Sequence, residues 1–544
     1  PRGRPRGFHE ALQAIWISSV VGEIQYGTMD VFAQGRVDQF LNPFLLHDLE
    51  TGALTRDQAI SLVQEYLLKL SANIQPIPEV GMETNGVLGN SQHVVVIGGL
   101  TPQGDDGDNE LSHLFLDAYE QMGGTVNQLC VRLHPGSSPA LVRRAVAAFR
   151  TTNGVAFYND EAIISALEAD GLSTEEARDY CIIGCVETSG HSNTHGCPGG
   201  HDLVLPAALL LTLTDGRYPP PAPGQQRGRS SGDPRSWATF EQVMAALEDQ
   251  LDHQLRVLVA ATAAKDEAHR EILPAPYVSA FMGDCIQRAR DLTDGGARHD
   301  FTGVAVRGLA TLVDSLLAIK TLVFQRQELS LSALMEAVLN NFRGQETLRL
   351  RLIGQAPKYG DGDPHADALA RRVVAMIHAL LAGHRNARGG RFRAAYYSYG
   401  NHVIDGFLLG ATPDGRRRGA PISNGASPSN LHPGTHGPLA ALRAVAALPP
   451  EQVSSGVALN LRFHPNFIAG EAKLETFSAM LRTYFSLGGM QLQPNIVSTE
   501  VLLAAQRDPE AHRDLVVKVS GYSAYFTDLG RSIQDDIIAR TEFC

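Results

Sequence analysis

Between residues 93 and 169, strand-like and helix-like segments alternate, and this alternation limits the fold more than any other feature of the chain. HVVVIGGL (His93 to Leu100) is a short apolar run with a Gly-Gly exit, followed by a helical pattern from Glu110 to Met122. QLCVRLH (Gln128 to His134) is a second strand-like run, and Pro139 to Thr151 a second helix. Val155 to Tyr158 and Asp160 to Ala169 repeat the pair. Apolar runs of strand length separated by helices predict an α/β architecture. Helical periodicity also marks Phe8 to Val21, Thr55 to Ala72, Trp237 to His269, Leu331 to Phe342 and Pro364 to Leu381. Phe281 to Leu292 reads as a short helical block, and Gly295 to Phe324 as a loop feeding a helix.

At 544 residues the chain is long enough for two or more units with a large buried core. Arg217 to Ser236 is a Pro/Gly/Ser-rich loop, and GATPDGRRRGAPISNGASP (Gly410 to Pro428) separates a C-terminal unit. A net charge of -12 argues against a nucleic-acid footprint. No apolar run reaches the ~18 residues of a membrane helix, and the basic PRGRPRG start has no apolar h-region behind it. Six cysteines in this length do not make a disulfide framework, so reduced thiols and a cytoplasmic protein are expected. The chain starts without Met, almost directly in GFHEALQAIWISSV, from which we expect upstream sequence to be missing. The Gly-Gly at residues 98–99 is not a nucleotide loop, since neither GxGxxG nor a Walker pattern follows.

Two stretches carry chemistry. In the first, VVKVSGYSAYFTDLGRSIQDDIIARTE (Val516 to Glu542), Gly521 precedes an amphipathic helix predicted from Ile533 to Glu542. Glycine has no Cβ to occlude its Cα, and its Cα–H bond is weak because the radical left behind is shared between amide nitrogen and carbonyl. In the second, RDYCIIGCVE, Cys185 and Glu187 lie two residues apart, and on an extended loop alternate side chains face one side. A thiol and a carboxyl sharing a cavity suit a sulfur-centred hydrogen abstractor beside a general base. Cys181, Cys185, His191, His195, Cys197 and His201 also form a Cys/His-rich tract, but their spacing matches none of the usual zinc patterns, so no metal is expected.

Val519-Ser520-Gly521-Tyr522-Ser523-Ala524 resembles the radical loop of the pyruvate formate-lyase-like glycyl radical enzymes, and RDYCIIGCVE resembles their cysteine loop. GRVDQFLNPF, FYNDEAII, GGARHDFTGV, APKYGDGD, GATPDGRRRGAP and LNLRFHP resemble further segments, in family order. Lys518 departs from the pattern, standing where the family usually has Arg. The resemblance implies a barrel of two half-barrels of parallel strands wrapped by helices, with a central cysteine loop and a C-terminal glycine loop. It also implies a barrel unit over residues 1–412, truncated at its N-terminal side, and a glycine radical unit over 419–544. No bound cofactor is expected. A radical S-adenosylmethionine activase would instead install a protein-based radical on Gly521, in an anaerobic, homodimeric enzyme. Cys185 would become a transient thiyl, and Glu187 would take a proton from a substrate hydroxyl. Pyruvate formate-lyase proper needs two adjacent cysteines, whereas Gly184 precedes Cys185, and Glu187 disfavours fumarate addition. A dehydratase-like eliminase of a small hydroxylated substrate is the leading expectation; an arylacetate-type decarboxylase and an inactive truncated paralogue are the alternatives. Asp30, His201 and Asp202 are candidate substrate contacts, with Asp30 suited to a cationic group or to capping a loop.

Overall fold

The computed structural model describes residues 3–26, 33–72, 93–123, 127–217, 224–432 and 436–544. The predicted alternation forms β1 (Val94–Gly98), β2 (Gln128–Leu133) and β3 (Val155–Asn159), paired in parallel in that order. Their crossovers are the helices Glu110–Gln121 and Pro139–Thr151, started by side-chain caps from Asn109 and Ser138. Every residue of the three strands is buried, as expected of strands covered on both faces.

A small antiparallel hairpin follows, β4 (Cys181–Ile183) and β5 (Glu187–Ser189). The second parallel set starts with β6 (Thr194–Val204), β7 (His299–Arg307) and β8 (Arg391–Ala395). A parallel bridge between Tyr396 and Val457 carries this set on to β9 (Asn460–Phe463) and β10 (Gln491–Ile496). β10 then meets β3 antiparallel, pairing Gln491 with Tyr158 and Leu492 with Phe157. The two parallel sets are the two half-barrels, and this seam joins them. A last hairpin, β11 (Val516–Lys518) and β12 (Ser523–Tyr525), precedes the terminal helix Arg531–Ala539 and the short β13 (Glu542–Phe543), which pairs with β9.

Three expectations are corrected. His299 to Arg307 is a strand and not a loop: it pairs with a neighbour on each side, although His299-Asp300 and Thr302-Gly303 break the apolar run that would have revealed it. Phe281 to Leu292 is a run of turns, because the Gly283 N–H donates to the Ser192 carbonyl, the Gly283 carbonyl accepts from the Arg298 N–H, and Asp284 and Ala289 take positive φ. The terminal helix stops at Ala539, where Arg540 turns extended and its guanidinium engages the glycine loop.

The largest apolar cluster fills the space between sheets and helices. A second cluster gathers Cys185, Val186, Tyr397, Val519, Tyr522 and Ile533, so the two chemical loops and the terminal helix share one core. Burying each such aliphatic or aromatic side chain contributes about 1.5–3 kcal/mol. Among the described residues, no helix is long and apolar enough to cross a membrane.

Candidate active site

The register of β4 and β5 pairs Ile183 with Glu187, leaving Gly184, Cys185 and Val186 as the tip of a tight turn. Gly184 takes φ +60, the left-handed region where a side chain would be strained. The Glu187 carboxylate folds back over this turn, and its Oε2 accepts the N–H groups of Cys185 at 2.9 Å and Val186 at 2.8 Å. The pairing of thiol and carboxyl therefore comes from a turn and not from the extended loop expected from sequence. The other oxygen, Oε1, is buried in a side chain 1 % exposed, and the carboxyl also interacts with the Tyr397 hydroxyl. Burial pushes the Glu187 carboxyl above its ordinary value, opposed by the backbone N–H groups it accepts. Burial, reinforced by the nearby Glu187 charge, pushes the Cys185 thiol well above its own. An S–H that stays protonated is a hydrogen-atom donor and a poor thiolate nucleophile. Tyr397 flanks Glu187 and Tyr399 flanks Cys185, with their rings edge to face at 5.0 Å.

Gly521 approaches this turn from the opposite side. Pairing of Lys518 with Ser523 leaves Val519 to Tyr522 as the loop, closed by Val519 N–H donating to the Tyr522 carbonyl. Gly521 takes φ +90, and an ideal Cβ built on it would lie 2.3 Å from Cys185 Cβ and 2.9 Å from its Sγ. Only a hydrogen fits there, and it points at the Cys185 side chain. The loop is held from behind: Arg540 donates to the carbonyls of Lys518 at 3.0 Å and Val519 at 2.6 Å, and Asn424 donates to Val519 as well. Asp536 accepts from Arg540 at 3.0 Å and lies 3.0 Å from His402 Nε2. Burial alone would raise the Asp536 carboxyl, but His402 and Arg540 hold it well below the carboxylate range.

Lys518 is fully buried, with its Nζ donating to Gln128 Oε1 at 3.1 Å and the Gly154 carbonyl at 3.2 Å. Burial lowers its pKa to about 7. Between that value and the ordinary lysine value near 10.4, the unfolded chain binds a proton that the folded chain does not, so this group makes stability rise with pH. The expected slope is at most ~1.4 kcal/mol per pH unit across that window. Lys518→Met should remove this component, flattening the pH dependence of urea unfolding between pH 7 and 10 relative to the native chain. Parallel slopes for the two proteins would contradict a neutral buried lysine.

The structure brings Cys185, Glu187 and Gly521 together. Asp30 lies outside the described residues. Asp202 is held by Arg307 Nη1 at 2.5 Å, and Arg307 is also paired with Asp405, its Nε 2.7 Å from Oδ2. His201 is half-buried, and its Nε2 has no hydrogen-bond partner among the described residues. Burial, followed by the charge of Lys265, lowers its pKa. Within the Cys/His tract, His191 pairs with Asp179 at 3.1 Å and stacks on Phe40, while Cys181 faces the Gly190 carbonyl. Sequence reasoning passed over Tyr397, Tyr399, Gln128 and Gln493. The two glutamines did leave a signal: with Arg132 on β2 and with Gln491 and Asn495 on β10, they put several polar side chains into buried strands, which calls for a buried polar network.

Known proteins resemble this chain in sequence and in fold. The family model described as pyruvate formate lyase-like matches residues 1–406, and the one described as glycine radical matches residues 422–527. Trans-4-hydroxy-L-proline dehydratase of Clostridioides difficile is 32% identical over 550 residues, covering all of this chain and 68% of its own length. The solved B12-independent glycerol dehydratase of Clostridium butyricum is 32% identical with a TM-score of 0.94, aligned over 99% of this chain and 67% of that one. A structure solved for 1,2-propanediol dehydration in Roseburia inulinivorans is 34% identical with a TM-score of 0.95, aligned over 99% and 68% respectively. The chain thus spans about two thirds of the length of the relatives it matches and carries a glycine radical domain, the element on which a protein-based glycyl radical is stored. It belongs to the pyruvate formate lyase-like glycyl radical enzymes, among their dehydratases and lyases and apart from pyruvate formate-lyase proper.

Proposed function

We propose that the chain is a glycyl radical eliminase of dehydratase type, with Gly521 storing the radical, Cys185 carrying it to substrate and Glu187 acting as base. The supporting observation is the contact of the Gly521 Cα with the Cys185 side chain, on the same turn that holds the Glu187 carboxylate. In this reading a radical S-adenosylmethionine activase removes hydrogen from Gly521. A hydrogen atom then passes from Cys185 Sγ to the Gly521 Cα, leaving a thiyl. The thiyl takes a hydrogen atom from a substrate carbon bearing a hydroxyl, and Glu187 Oε1 takes the hydroxyl proton. The resulting radical anion expels the neighbouring group with its bonding electrons, and the product radical recovers hydrogen from Cys185. Residues 1–412 form the barrel unit and 419–544 the radical unit of a cytoplasmic homodimer. Asp30, His201 and Asp202 are the proposed contacts to a small polar substrate, Asp202 through its pair with Arg307.

Glu187→Gln tests the assignment. The amide oxygen retains the two turn N–H bonds while an NH2 replaces the base, so the turn survives. The radical signal should be unchanged after activation, with kcat for elimination lower by about 10²–10⁴-fold. Full turnover in this variant would remove Glu187 from the mechanism. Product analysis separates the decarboxylase alternative, which releases carbon dioxide from an aryl acid. An inactive paralogue would form no radical with an activase proven on another enzyme.

A further inference from the structure

Behind the two loops lies a chain of buried amides that joins them. Gly521 N–H donates to Gln493 Oε1 at 2.9 Å, and Gln493 Nε2 donates to Gln128 Oε1 at 3.1 Å. Gln128 Nε2 in turn donates to the Cys185 carbonyl at 2.9 Å and to the Tyr158 hydroxyl at 3.0 Å, while that hydroxyl donates to the same carbonyl at 3.1 Å. Lys518 Nζ fills the second acceptor position on Gln128 Oε1. Gln128 is 3 % exposed, Gln493 and Lys518 0 %.

The orientation of every amide follows from the ends. A backbone N–H only donates and a backbone carbonyl only accepts. Gln493 must therefore present oxygen to Gly521 and its NH2 to Gln128. Gln128 must then present oxygen to Gln493 and its NH2 to Cys185. Lys518 reinforces this choice, since a second donor at Gln128 Oε1 opposes a flip. A neutral lysine amine has two N–H donors, and Lys518 has two acceptors here, Gln128 Oε1 and the Gly154 carbonyl. The groups that act on its charge are the thiols of Cys130 on β2 and Cys185 on the turn, with no carboxylate among the described residues that do so.

We propose that Gln493 and Gln128, locked by Lys518, are positioning residues that hold the backbones of Gly521 and Cys185 in register for hydrogen transfer between them. The relay spans β2, β10 and β11, and so links the two half-barrels to the radical hairpin. A relay of this kind fixes distance in the one step that needs sub-ångström placement, and misplacement by about 1 Å lowers such rates ~10²-fold. This inference rests on the assignment of Gly521 and Cys185 proposed above.

The test reads hydrogen transfer without any substrate. In D2O the Cys185 thiol carries deuterium, which a passage from Sγ adds to the planar Gly521 radical; whenever the loop then presents the α-hydrogen and not the deuterium to the Cys185 thiyl, the radical that re-forms carries deuterium. The doublet that this hydrogen imposes on the paramagnetic resonance signal then collapses to a singlet. The activated native protein should show the collapse. Gln493→Leu should slow it by about 10–100-fold; Gln128→Glu, which loses the bond to the Cys185 carbonyl, should do the same, and Lys518→Met should slow it less. A purely structural role lowers the melting temperature and leaves the collapse rate of the radical-bearing fraction unchanged, which would overturn the proposal. Should Gln493→Leu not fold, Gln493→Glu keeps the acceptor for Gly521 at equal size, and an unaltered rate there and in Gln128→Glu is equally fatal. Absence of any radical in the native protein would instead count against the assignment of Gly521.

Discussion

Gly521→Ala should abolish both the glycyl radical and turnover. At φ +90 a Cβ lies 2.3 Å from Cys185 Cβ, closer than non-bonded carbons approach, and the obstacle is the base of a buried side chain that has nowhere to swing. The loop must move away or the residue must leave the left-handed region. Holding a non-glycine residue there costs on the order of 1–3 kcal/mol before the clash is counted. The chemical loss is greater still. Alanine fills the Cβ direction with a methyl group, so the hydrogen that faced Cys185 is gone and the remaining one points elsewhere. Incubation with S-adenosylmethionine and a competent activase should give no glycine signal, and product formation should fall to background. A radical of normal yield with measurable elimination would exclude Gly521 as the storage site.

Cys185→Ser should separate storage from use. The hydroxyl is smaller than the thiol and keeps the turn, whose geometry depends on Gly184 and on the two N–H bonds to Glu187. Gly521 therefore still fits and still accepts a radical. The O–H bond of serine is much stronger than both the S–H bond and the glycine Cα–H bond, so hydrogen does not pass from it to the glycyl radical. The expected result is a stable doublet that no longer collapses in D2O, with turnover lowered by more than about 10⁴-fold. Turnover within tenfold of the native chain would show that another group abstracts hydrogen from substrate. Burial holds the Cys185 thiol protonated, which suits the atom-transfer role proposed for it.

Much of this was legible in the residues. Period and punctuation disclosed β1 to β3 and their helices, because these crossovers are short and each helix carries its own cap. β7 was missed because His299-Asp300 open it and Thr302-Gly303 interrupt it, so it lacks the continuous apolar run that marked β1 to β3. The end of the terminal helix was misplaced because Arg540 leaves it to bind two loop carbonyls, an event no local propensity reports.

Cys185, Glu187 and Gly521 stood out as candidates because they lie in two short stretches, which the fold brings together. The sequence by itself determined which atoms are available: a glycine with no Cβ, a thiol, a carboxyl two residues on from it, and a lysine three residues before the glycine. Only the tertiary structure decided what those atoms do for one another. A tight turn faces Glu187 back onto the Cys185 backbone, and the antiparallel seam between β3 and β10 sets Gln493 beside Gln128 although they are 365 residues apart. Long-range pairing of strands has no local signature, because each strand specifies its own burial and not its neighbour. The contact between Gly521 and Cys185 joins two hairpins distant in the chain, and no local pattern reports it.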